Sequence, residues 1–139
     1  MPGCCSGARS ILIETTVLRV DGETCDRCNE TLAAVRQAAG ELEAELAAAN
    51  VPVSLVEHAT TSQALADSNA VLVNGRPIEE WIGGERLSTD CPSCGDLVGE
   101  SVCCSAISVD GVVNEAMTAQ HVRDAALSAL GLSSGSGCC

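Results

Sequence analysis

An α/β fold with a mixed sheet is predicted by three features of this chain. A β-branched run leads into a long stretch of helical periodicity, a second apolar run follows that stretch, and an Asn-Gly turn separates two further apolar segments. With 139 residues the chain suits one domain, and two separate cores would be hard to build. The sequence has no Phe or Tyr and only Trp81 as an aromatic, so Leu, Val, Ile and Ala must pack the interior.

Residues 11–20 are rich in β-branched side chains and read as the first strand, stopped at Asp21-Gly22. Leu32, Val35, Ala39, Leu42 and Leu46 then recur at spacings of three and four with glutamates between them, which predicts an amphipathic helix over residues 28–49. Gly40 weakens its middle by about 1 kcal/mol relative to Ala and offers a place for a kink. Residues 51–56 read as a second strand, and strand, long crossover, strand implies a parallel, right-handed pair. The runs 11–20 and 52–57 are thus expected to form the centre of the sheet. Ala70-Val71-Leu72-Val73, Asn74-Gly75 and Arg76-Pro77-Ile78 predict a hairpin through a two-residue turn, with Trp81 as a core plug beside it. Beyond Gly83-Gly84 the expectation is a cysteine-rich loop spanning residues 91–104, then a small hairpin around Asp110-Gly111. A last helix over 118–130 is capped by Thr118 and carries Val122, Ala126 and Leu130 on one side. Residues 1–9 and the Gly/Ser tail at 133–139 read as flexible ends around a domain at 10–132.

Net charge is -12, and the seven basic residues are all arginines scattered singly. With no basic stripe to neutralise phosphates, nucleic acid is excluded as a partner. Acidity also repels anionic headgroups, and no apolar run approaches the roughly 20 residues that span a bilayer, so no membrane association is expected. The first ten residues lack the charged and apolar regions of a secretory signal, which predicts a cytoplasmic protein in which thiols stay reduced.

The ten cysteines fall into five pairs: Cys4-Cys5, Cys25/Cys28, Cys91/Cys94, Cys103-Cys104 and Cys138-Cys139. One such pair could be two small buried hydrophobes, but five ask for a common chemistry. Adjacent Cα atoms sit about 3.8 Å apart, less than the roughly 4.4 to 6.8 Å of a relaxed disulfide, so vicinal pairs are poor staples. Two neighbouring thiolates are, however, well placed to hold or trade a soft ion. All ten cysteines are therefore candidate metal ligands. Cys25 and Cys28 flank the first turn of the long helix, where unpaired N–H groups favour a thiolate.

The order of strand, Cys25-Asp26-Arg27-Cys28 opening a helix, strand, then Val71-Leu72-Val73-Asn74-Gly75-Arg76-Pro77 as a hairpin and a final helix resembles the thioredoxin-like superfamily over about residues 10–131. Gly-Glu-Thr-Cys-Asp-Arg-Cys with Val-Asn-Gly-Arg-Pro-Ile-Glu-Glu-Trp is similar to a small prokaryotic family of unknown function assigned to that fold. The resemblance implies a mixed sheet flanked by helices. Two departures stand against disulfide exchange: Ser68-Asn69 occupies the place of the superfamily's cis-proline, and Thr24 that of the aromatic before its first cysteine. The vicinal pairs near both ends are similar in style to those of arsenic metallochaperones.

These readings favour capture of arsenite or Hg(II) and its delivery to a metal-efflux or detoxification protein. Zn(II) held by four thiolates in a structural role is an alternative, as is a thiol enzyme, either an oxidoreductase or an organomercurial lyase using Asp96. An iron–sulfur cluster on Cys91, Cys94, Cys103 and Cys104 ranks last, because adjacent cysteines suit it badly. His58 and His121 read as surface or packing residues. Tandem Cys-x-x-Cys pairs are a strong metal signal at about 15 to 20 residues' separation; here 62 residues lie between Cys28 and Cys91, so the fold must bring them together. A shared site between Cys25 or Cys28 and the 91–104 segment is expected.

Overall fold

The computed structural model of the chain describes residues 9–61 and 68–131. The first strand, β1 (Ile11–Leu18), alternates along its pleat: Ile11, Ile13, Thr15 and Val17 are buried, whereas Leu12 is exposed. One face of the sheet is thus covered. The chain crosses through α1 (Asp26–Leu46) and a 3-10 turn (Ala47–Ala49) to β2 (Val53–Thr60), which pairs parallel to β1 from Ile11↔Val53 to Leu18↔Thr60. On its other side β1 pairs antiparallel with β3 (Ala70–Val73), which turns through Asn74 and Gly75 into β4 (Arg76–Pro77). Both turn residues have positive φ (50° and 82°), the conformation that the Asn-Gly pair tolerates best.

The strand order is β2-β1-β3-β4, a mixed sheet. Of the two strands expected at its centre, β1 is there and β2 is an edge. The reason is that the backbone of β1 is bonded on both sides, leaving β2 no second neighbour among the described residues. The limits of β2 also shift towards the C-terminus of the expected run, because the ladder continues for the full length of β1.

A short helix, α2 (Ile78–Ile82), then leads to a second sheet of β5 (Glu85–Asp90), β6 (Cys103–Val109) and β7 (Val112–Asn114), ordered β5-β6-β7. The segment expected as a cysteine-rich loop is therefore ordered structure. Residues 92–98 form α3 (Pro92–Val98), and Cys103 and Cys104 begin a strand paired with β5. Glu-Arg-Leu-Ser-Thr-Asp in β5 has no buried residue, so it lacks the apolar alternation by which a strand is read. The hairpin at Asp110-Gly111 is present, with φ of 52° and 79°. The chain closes with α4 (Ala119–Ala129).

The main core joins Ile11 and Ile13 of β1, Val71 and Val73 of β3, the α1 stripe from Val35 to Leu46, Val122, Ala125 and Ala126 of α4, and Ile107 of β6. The helical spacing of three and four is what turns that stripe onto the sheet. Ile107 brings the second sheet into the same core. Trp81 is half-buried beside the hairpin, donating its Nε1–H to the Val73 carbonyl at 2.8 Å with Arg76 4.2 Å from its ring. Among the described residues no helix is long and apolar enough to cross a membrane.

Candidate metal centre

A second, smaller apolar cluster lies at the C-terminal end of β1, where Val17, Leu18 and Leu32 enclose five cysteines: Cys25, Cys28, Cys91, Cys94 and Cys104. Three chain segments deliver them. Cys25 is the N-cap of α1, its Sγ accepting a hydrogen bond from the Cys28 backbone N–H at 3.3 Å. Cys91 stands immediately before α3, with Pro92 at the start of the helix and Cys94 in its first turn. The Asp26 N–H donates to Ser93 Oγ at 3.1 Å, tying the starts of the two helices together. Gly95 follows Cys94 where a Cβ would lie 3.0 Å from the Glu100 carbonyl oxygen, so the absence of a side chain eases the close return of the chain.

Cys104 comes from β6, and strand geometry separates it from its neighbour. Successive strand side chains point to opposite faces; Cys104 is buried, whereas Cys103, the first residue of the strand, is exposed. The result is a set of four sulfurs, those of Cys25, Cys91, Cys94 and Cys104, all within 4.8 Å of one another. A tetrahedral ion with metal–sulfur bonds of about 2.3 Å sets its sulfurs about 3.8 Å apart, a spacing within the 4.8 Å span of this group. The shortest separation, 2.8 Å between the Sγ atoms of Cys94 and Cys104, must open to admit an ion. The four residues are 2% exposed or less.

The sulfurs share their protons unequally. Hydrogen bonds from the thiols of Cys104, Cys28 and Cys94 and from the Cys28 backbone hold Cys25 well below the usual thiol range, outweighing its burial. Cys28 is pushed up by its bond to Cys25 and by burial, Cys94 chiefly by burial, and Cys104 by its bond to Cys25 and burial, with the Ser68 hydroxyl opposing. Cys25 is thus the most acidic thiol of the group, and a cation bound by all four sulfurs displaces thiol protons.

Arg27, between the two cysteines of the first pair, is 6% exposed. Its guanidinium donates to Thr89 Oγ1 (2.7 Å) and to the carbonyls of Asp90 (2.7 Å), Cys104 (3.3 Å) and Ser105 (3.4 Å), and pairs with Glu115 at 3.1 Å. Asn69 adds a second bridge, its Nδ2 donating to the Ser105 and Glu115 carbonyls at 2.7 Å each. Ser68 and Asn69, which the resemblance marked as a departure, are fully buried and face the second sheet. Sequence reasoning missed these anchors. The available signal was an arginine enclosed by a Cys-x-x-Cys pair at a helix start.

Of the ten predicted ligands, four converge. Cys28 is buried beside Cys25 but outside the four, Cys103 faces solvent, and Cys4, Cys5, Cys138 and Cys139 lie outside the described residues. Cys91 also lines a cleft of about 140 Å³ with Asp26, Arg27, Glu30, Pro92, Ser93 and Glu115. Asp96 is exposed on a neighbouring open depression. His58 faces Glu14 at 3.1 Å, and His121 caps α4.

The domain of unknown function DUF2703 matches residues 11–126. The chain belongs to this family. All six cysteines of the described part of this DUF2703 protein lie within the match. An uncharacterized protein of Archaeoglobus fulgidus is 36% identical over 110 residues, covering 76% of this chain and 77% of the relative. No solved structure matches this DUF2703 chain.

Proposed function

We propose that this protein binds a thiophilic metal ion through Cys25, Cys91, Cys94 and Cys104, and that Zn(II) or a divalent ion of similar preference is its natural occupant. The observation that carries this reading is the convergence of four buried sulfurs within 4.8 Å of one another. Arsenite takes three sulfurs and Hg(II) two, so a fourth thiol within the same 4.8 Å favours a tetrahedral ion. Burial of all four sulfurs favours retention of the ion over turnover, as in structural tetrathiolate sites. A thiol enzyme needs an exposed nucleophile, and Cys25, the most acidic thiol of the group, is 1% exposed. The second reading, capture of As(III) or Hg(II) for delivery to a detoxification or efflux protein, is supported by Cys103. That thiol is exposed one residue from the buried ligand Cys104, where an ion could be exchanged. The thioredoxin-like scaffold stays a proposal, supported by the order of strand, cysteine-opened helix, strand, hairpin and closing helix.

The test is to purify the full chain reduced and measure its metal content and its affinities for Zn(II), arsenite and Hg(II). One Zn(II) per chain is expected. Cys104→Ser should weaken Zn(II) binding by more than the roughly 10–100-fold that losing a ligand's outer partner costs, whereas Cys103→Ser should leave it within about twofold, an outer partner's absence being the reference. Undiminished Zn(II) binding in Cys104→Ser contradicts the tetrathiolate site. Tight arsenite binding that depends on Cys103 would favour the second reading.

A further inference from the structure

Four thiolates around a divalent cation leave two units of negative charge in an apolar enclosure, and such a charge is costly unless paired and hydrogen-bonded. Among the described residues, the cationic side chain that reaches this enclosure is that of Arg27. Its contacts are arranged by segment. The residue belongs to the first turn of α1, between Cys25 and Cys28. One guanidinium nitrogen holds the carbonyl of Asp90, the residue before Cys91, at 2.7 Å, and the other holds the carbonyl of Cys104 itself at 3.3 Å and Thr89 Oγ1 at 2.7 Å. One side chain therefore bonds the three stretches of chain that supply the four sulfurs. A planar fork can do this where a single ammonium cannot.

Resting on the metal reading above, we propose that Arg27 is the positioning residue of the centre: it holds the three cysteine-bearing segments at ion-binding distance before the ion arrives and offsets the negative charge once it is bound. Glu115 completes the arrangement, accepting from the guanidinium at 3.1 Å from the exposed side. That carboxylate fixes the fork from the cleft that it lines with Cys91, its own side chain 67% exposed. Thr89 and Asp90 have no chemistry of their own in this scheme. They are the grip by which Arg27 sets the end of β5, and hence Cys91.

The test compares Arg27→Lys and Arg27→Gln with the wild-type chain, using Co(II) as the probe because its sulfur-to-metal charge-transfer and ligand-field bands report the number and geometry of bound sulfurs. Thermal unfolding of each metal-free chain is measured alongside. Affinity should fall in the order wild type, Lys, Gln, by about tenfold for Lys and more for Gln, the range for outer partners of metal ligands. In Arg27→Gln the charge-transfer intensity per ion should also drop, because fewer than four sulfurs are held. Equal affinities with unchanged bands overturn the role, as does a loss of affinity that follows only metal-free stability while the bands stay those of the wild type. If Arg27→Gln does not fold, Arg27→Lys decides alone: wild-type affinity and bands in that variant overturn the proposal. A wild-type chain that takes up neither Co(II) nor Zn(II) overturns the metal reading, and the Arg27 role with it.

Discussion

His121 caps its own helix through a neutral imidazole. Its Nδ1 accepts from the Thr118 N–H at 3.1 Å, and Thr118 Oγ1 accepts from the His121 N–H at 3.1 Å, a reciprocal capping box. Burial pushes the His121 pKa down, with Asp124 partly opposing. The native state therefore binds fewer protons than the unfolded chain, whose imidazole titrates near about 6.5. The stabilisation is complete above that value and is lost as the pH falls through the lower folded pKa. Urea unfolding of the metal-free protein should show stability declining from pH 7.5 to 5.5, flattened in His121→Gln, while Thr118→Ala should cost about 1 kcal/mol at neutral pH. An unaltered pH slope in His121→Gln would remove His121 from the account. At this same scale, Cys103 opens β6 at its exposed end, while Cys104 and the three residues after it are all buried, so these adjacent thiols meet different surroundings.

Among the elements, α1 does the most to connect core and site. Its buried stripe packs the sheet while its first turn holds Cys25, Arg27 and Cys28. α1 is continuous through Gly40, which is exposed with nothing within 4 Å of an added Cβ. Gly40→Ala should therefore stabilise the protein by about 0.5–1 kcal/mol, by helix propensity and by a less entropic unfolded chain. Chemical denaturation checks this, and a destabilised variant would mean that α1 bends at Gly40 in solution. The Arg123 pairs to Glu45 (2.6 Å) and Glu41 (3.5 Å), which join α4 to α1, are solvent-facing and contribute little by comparison.

At the scale of the whole molecule, the centre acts as a staple. Cys25 is separated from Cys91 by most of the first sheet, and the second sheet supplies Cys104, so an ion bound to all four links both sheets and α1. Binding to the native state alone stabilises by RT ln(1 + [L]/Kd), about 4 kcal/mol at a thousandfold excess over Kd. Zn(II) should raise the melting temperature of the reduced protein and a chelator should lower it. The shift should vanish in Cys104→Ser. A wild-type melting temperature indifferent to Zn(II) and chelator would contradict a site that spans the sheets.

The sequence by itself determined the α/β class, the helix at Leu32 to Leu46, the Asn-Gly and Asp-Gly hairpins and the closing helix. Each of these rests on local rules: periodicity, capping, and turn residues that accept positive φ. It also exposed the cysteine pairs and the need for distant pairs to meet. Which sulfurs meet was decided only by the tertiary structure. Membership depends on where β6 begins to be buried, between Cys103 and Cys104, on the docking of α3 against the start of α1, and on a second sheet whose β5 carries no apolar pattern to announce it. Arg27 was hidden for the same reason. Its partners at Thr89, Asp90, Cys104 and Glu115 lie 62 to 88 residues away in sequence, and long-range contacts of that kind leave no local pattern to read.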